Sequence, residues 1–234
     1  GKHLTVSTIK TDLAGIRFFH DKFERTKYRL PSNDDLAVEL ERRRFGGVDR
    51  TWRVQEFHRF LAHCMADGHE DYATVACLTW YAGLRIHECF RIDTAIAEQA
   101  LQENAITVKG KGGKIRTVPI NESISIELKK LLAVTPWGHK LFVPDGVPTD
   151  IVIARLQQYI YQVRPKIKDE GSTRPMTHHG LRHSYAARPY QELIDSGTSP
   201  LSASLRVSQL LGHERPDVTH GYLVSISKEG ANGK

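Results

Sequence analysis

Long apolar runs are missing from this sequence: none approaches the roughly 20 consecutive apolar residues of a membrane-spanning helix, so no membrane partner is expected. The opening GKHLTVSTIKTDLAG lacks the continuous apolar segment of a secretory signal. Cysteine is scarce and odd in number. Cys64, Cys77 and Cys89 show no CxxC spacing, and each stands in a helix-like apolar context, which excludes a disulfide framework and reads as reduced core thiols in a reducing, cytoplasmic compartment. Internal repeats and low-complexity tracts are absent too, which excludes solenoid and fibrous classes. What is there is ordinary for a globular protein: 234 residues, 40% hydrophobic and 26% charged. The net charge of +6, with a pI near 9.2, favours a polyanionic partner without naming one.

Hydrophobic spacing divides the chain. Ile9, Leu13, Ile16, Phe19 and Phe23 predict a helix over 8–28, and Leu36, Val38 and Leu40 a second one running to Arg44. Two helices make too small a core to stand alone. Residues 1–44 are therefore read as part of a helical N-terminal domain, 45–50 as a linker, and 51–234 as the main domain. The Arg42–Arg43–Arg44 cluster fits either a phosphate contact or a helix C-terminus. In the main domain Thr51 is a candidate N-cap, helices are expected at 71–82 and 85–92, and β-prone runs 105–109 and 115–120 flank a glycine-rich turn as a hairpin. Asn121 is placed to cap a helix over 122–133, with further helices at 150–164, 178–195, 203–211 and 216–223 and a short strand at 141–143. The expected fold class is mainly α with a small antiparallel β-sheet.

Several short motifs carry chemistry, each weak alone. Arg85 follows a helix-ending glycine in Gly83-Leu84-Arg85, where a new helix N-terminus would favour an anion. Glu88, three residues on, is spaced either to hold Arg85 or to form a solvated pair with it. His179 and Arg182 stand three apart on one helical face and can touch one substrate group. His179 and His183 are four apart, as in zinc proteases, but position 180 is glycine where HExxH requires glutamate and no further ligand cluster is evident, so no metal is expected. His178 and His183 read as packing or solvent residues. Lys111 and Lys114, in Gly110-Lys111-Gly112-Gly113-Lys114, are either turn charges or acids able to protonate a leaving oxygen. His213 follows a helix-ending glycine, and Tyr222 lies nine residues beyond it.

Taken in order, Gly83-Leu84-Arg85, the GKGGK turn, His179-x-x-Arg182-His183, Leu211-Gly212-His213 and Tyr222 resemble the tyrosine recombinases, or phage integrase family, over roughly residues 51–223. The resemblance implies the catalytic fold of that family, with residues 1–44 the end of a core-binding domain. It implies that Tyr222 is the nucleophile, that Arg85, Arg182 and His213 grip the scissile phosphate, and that His179 assists proton transfer. Lys111 would be the general acid, in preference to Lys114, and Glu88 an accessory residue. Double-stranded DNA and a homotetramer assembled on it are the implied partners, with room for accessory directionality or bending proteins. Integration or excision of a bacterial or phage mobile element, through a 3′-phosphotyrosine, is the implied role. A type IB topoisomerase, a non-catalytic DNA-binding module and a metal-dependent hydrolase are the competing readings. The stretch between Arg182 and His213 is longer than in compact members, and Pro189 is expected to kink its helix.

Overall fold

The computed structural model describes residues 4–24, 26–36, 40, 48–110, 113 and 115–212. The chain divides into two compact units, Gly1–Phe45 and Gly46–Lys234. In the first, α1 (Val6–Phe23) starts where the Thr5 hydroxyl accepts the Thr8 N–H at 3.2 Å. It ends five residues earlier than the spacing predicts, with Glu24 already extended. Arg17 holds the following segment, its Nε donating to the Pro31 carbonyl at 2.7 Å and its Nη1 to Asn33 Oδ1 at 2.8 Å. Residues 33–36 form a bend and turn. Most of the helix expected over 36–44, including the three arginines, lies outside the described residues.

The second unit opens with α2 (Val54–Ala66), whose N-cap is Arg53 and not Thr51. Glu56 decides this by accepting the Arg53 N–H at 2.7 Å, while the Thr51 hydroxyl donates to Asp49 instead. The chain continues through α3 (Glu70–Ala82), α4 (Ile86–Cys89) and α5 (Thr94–Glu103). Strands β1 (Ala105–Lys109) and β2 (Ile115–Pro119) follow, then α6 (Glu122–Val134), α7 (Thr149–Ile167), α8 (His178–Asp195) and α9 (Pro200–Leu210). Asn121 caps α6 as expected, accepting the Ile124 N–H at 3.0 Å. The expected strand at 141–143 is replaced by an isolated bridge between Asp93 and Lys140. Pro189 lies inside α8, which runs on to Asp195. The helix expected over 216–223 lies outside the described residues.

The core draws on α2 to α7, both strands and the first turn of α8. Phe57 stacks on Trp80 with ring centroids 4.4 Å apart, and Trp52 meets Phe60 edge-on at 5.4 Å. The antiparallel hairpin pairs Val108 with Arg116 and Ile106 with Val118. Its period of two turns Ile106, Val108 and Val118 toward the core, and Arg116 shares that inward face of β2. No helix among the described residues is long and apolar enough to cross a membrane.

Candidate functional site

The site begins where α3 stops. Gly83 adopts φ 61°, a left-handed conformation that closes the helix, and a Cβ there would collide with the Tyr185 ring of α8. That close approach brings the α3–α4 junction onto α8. Arg85 is the N-cap of α4, so the helix begins one residue later than the sequence predicts. α4 has only four residues, and the Arg85 N–H is already taken by Glu88 Oε2 at 2.7 Å.

Glu88 is not a solvated pair but a buried carboxylate, 2% exposed. Its Oε1 accepts Arg85 Nη1 at 2.9 Å and Arg116 Nη1 at 2.8 Å, and its Oε2 accepts Arg116 Nη2 at 2.7 Å besides the Arg85 N–H. Burial alone would raise this carboxyl, but the hydrogen bonds from Arg116 and from the Arg85 N–H outweigh it and bring the pKa to about 2. The carboxylate therefore stays charged and joins two guanidiniums that would otherwise repel. Arg116 was not among the candidates. Its one sequence signal was an arginine on the alternate face of a strand that otherwise turns Val118 inward, and nothing in spacing shows a partner 28 residues away.

Arg182, on α8, is fully buried and sits between the ends of two helices. Its Nη1 donates to the Gly83 carbonyl, and its Nη2 to the Leu211 carbonyl at 2.6 Å. Helix C-termini carry unsatisfied carbonyls and partial negative charge, so one guanidinium serves α3 and α9 together. The Gly83 carbonyl also accepts Arg116 Nη2 at 3.3 Å. A Cβ on Gly212 would lie 3.1 Å from Arg116 Cδ, so the end of α9, immediately before His213 in sequence, packs against the same arginine.

Arg85, His179 and Arg182 line one cleft of about 360 Å³, together with Tyr161 and Arg164 of α7. Enclosure by neighbouring groups, with Arg182, Arg50 and Arg85 close by, holds His179 down at about 4, so the imidazole is neutral at pH 7. His178 and His183 are buried and lie lower still, at about 3, chiefly through desolvation. His178 Nε2 lies 3.3 Å from the Thr79 hydroxyl, in keeping with the packing role read from the sequence. The structure thus brings Arg85, Glu88, His179 and Arg182 together. Lys111, Lys114, His213 and Tyr222 lie outside the described residues, so their places are not part of this geometry.

A fixed cluster of guanidiniums beside a neutral imidazole suits charge stabilisation on a phosphate together with proton transfer. Comparison with known proteins points the same way. Residues 51–228 match the model of the phage integrase family. Tyrosine recombinase XerC 1 of Ralstonia nicotianae is 32% identical over 155 residues, covering 58% of this chain and 44% of that protein. Tyrosine recombinase XerD of Caulobacter vibrioides is 31% identical over 170 residues, covering 68% of this chain and 52% of that one. The chain thus spans about half the length of these curated relatives. Among solved structures, the XerH site-specific recombinase bound to its difH substrate superposes with a TM-score of 0.60 at 18% identity, over 99% of this chain and 66% of that one. The Tn1549 transposon integrase bound to transposon right end DNA gives 0.60 at 14% identity, over 99% and 81%. At these identities the superpositions establish the fold: mostly helical, with a small antiparallel sheet.

Proposed function

From the premise that this chain belongs to the phage integrase family, we propose that it cuts and rejoins double-stranded DNA at specific sites, with Tyr222 as nucleophile. The observation that carries this reading is the convergence of Arg85, His179 and Arg182 in one cleft, within a matched segment that also spans Lys111, His213 and Tyr222. The Tyr222 oxygen attacks the scissile phosphorus while His179 accepts the phenolic proton. The bond from phosphorus to the 5′-oxygen breaks, and that oxygen takes a proton from Lys111. Arg85, Arg182 and His213 stabilise the charge on the non-bridging oxygens. The 3′-phosphotyrosine keeps the bond energy, and the 5′-hydroxyl of a second strand reverses the step. Fixed cations supply the charge for this chemistry, so the proposed step passes through no metal or cofactor. Named relatives that are recombinases, and solved neighbours bound to DNA, support a DNA partner. A homotetramer on DNA, a cytoplasmic location and service to a mobile element complete the proposal.

The test is a suicide DNA duplex in which the cleaved fragment diffuses away and traps the covalent intermediate. The wild-type chain is expected to form an adduct that maps to Tyr222. Tyr222→Phe keeps the ring and removes the nucleophilic oxygen, so it should bind the duplex normally and form none. An adduct in Tyr222→Phe, or one that maps elsewhere, overturns the assignment. Relaxation of supercoils without strand exchange would move the reading to a type IB topoisomerase.

A further inference from the structure

We infer that Arg116 is a positioning residue of the phosphate-binding cluster, acting through Glu88 to set the side chain of Arg85. The inference rests on the recombinase reading and goes beyond it, because it gives a role to a strand residue outside the catalytic set. The fork of Arg116 engages both carboxylate oxygens of Glu88, at 2.8 and 2.7 Å, and takes two of the four hydrogen bonds that the carboxylate accepts from described residues. Arg85 supplies the other two, one from its backbone and one from a single guanidinium nitrogen at 2.9 Å. Only Nη1 of Arg85 is thereby committed to Glu88, and the arginine still lines the cleft. Without Arg116, a buried carboxylate would retain Arg85 as its remaining cationic partner among the described residues and draw the whole guanidinium onto itself and away from the cleft. A lysine could replace the charge of Arg116 but not its two-pronged geometry. The same guanidinium reaches the Gly83 carbonyl that Arg182 also uses, and its stem packs at Gly212. One strand residue thus ties Arg85, the end of α3 and the end of α9 into a single frame.

Covalent adduct formation on the suicide duplex tests this with Arg116→Met, Arg116→Lys, Glu88→Gln and Arg116→Met combined with Glu88→Gln. Arg116→Met should slow adduct formation by about 10²-fold, the scale of one lost preorganised donor, and Arg116→Lys should recover little of it. Glu88→Gln removes the charge that captures Arg85, so the double variant should react at least about tenfold faster than Arg116→Met and close to Glu88→Gln alone. A second substrate separates positioning from folding. A methylphosphonate at the scissile position is neutral and has less need of Arg85, so it should relieve most of the Arg116→Met defect, which a folding defect would not allow. If Arg116→Met does not fold, the comparison of the double variant with Glu88→Gln still decides, since a large further loss there means that Arg116 acts by another route. Wild-type reaction with no relief by the neutral phosphate overturns the inference alone. A wild-type chain that forms no adduct overturns the recombinase reading, and the inference with it.

Discussion

At Gly180 helix propensity and packing disagree in sign, and the structure says which wins. Replacing a helical glycine with alanine favours the helix by about 1 kcal/mol. Here, however, a Cβ would collide with the Arg50 carbonyl and lie 2.8 Å from Trp52 Nε1. The Trp52 ring is pinned, because its Nε1 donates to the Thr177 carbonyl at 3.0 Å and its edge meets Phe60. Neither obstacle is the far end of a flexible side chain. Overpacking costs about 1–3 kcal/mol, so after the helix gain Gly180→Ala should be a net loss of up to about 2 kcal/mol. In a domain of this size each kcal/mol shifts the melting temperature by roughly 2–4 °C, which thermal unfolding followed by circular dichroism can read. A melting temperature at or above wild type would mean that the α8–Trp52 contact yields to the methyl group. The glycine between His179 and Leu181 thus has a packing reason independent of catalysis, lying where α8 must come within touch of the segment that precedes α2.

At the scale of the element, α8 holds three histidines below their ordinary value, with His179 at about 4 acting in the same direction as His178 and His183. It buries His178 and His183, whose burial brings both to about 3, against an unfolded value of about 6.5. A depressed histidine binds fewer protons folded than unfolded, so stability rises with pH across the interval between the two values. The contribution is intact above about pH 6.5 and is lost progressively as pH falls toward 3. By pH 5 each of the two should have cost on the order of 1–2 kcal/mol. Glu88, at about 2 when folded, adds a loss of the same sign but only below about pH 4.5. Denaturant titrations from pH 8 to pH 4 should show stability falling before the carboxylates titrate, and His183→Gln should flatten part of that fall. A flat profile between pH 6.5 and 5 would contradict the burial of both rings. The elements also show what a sequence reveals. α3 was legible because Gly83 punctuates it, and the hairpin because β-branched runs flank glycines. α5 (Thr94–Glu103) escaped notice, since its alanine-rich face lacks a strong apolar stripe and only the Asp93 cap, accepting the Ile96 N–H at 2.8 Å, marks it. The Arg85–Glu88 contact was legible only as one of two i,i+3 readings, whereas the burial of Glu88 and its bond to Arg116 are tertiary facts that no local spacing contains.

For the whole molecule the open quantity is how the net charge of +6 is used on DNA. Half of it lies in the first 45 residues, where ten Lys and Arg face seven Asp and Glu, a surplus of three. These residues form the smaller compact unit, Gly1–Phe45, and its one described helix, α1, buries none of its own side chains. We propose that residues 1–44 are the end of a core-binding domain; a helix that buries so little suits that better than it suits a self-sufficient fold. Each neutralised phosphate releases counterions, so the logarithm of the binding constant falls linearly with the logarithm of salt, by about 0.9 per contact on duplex DNA. The Tyr222→Phe chain permits this measurement without covalent trapping. A version of it restricted to residues 46–234 should bind more weakly at low salt and show a slope smaller by about 1–3, one step for each phosphate contact given up. The curves should converge as salt rises, because the lost term is electrostatic. An unchanged slope would mean that the first unit makes no phosphate contacts. Its surplus charge would then be incidental, and DNA binding would rest on the unit that holds Arg85 and Arg182.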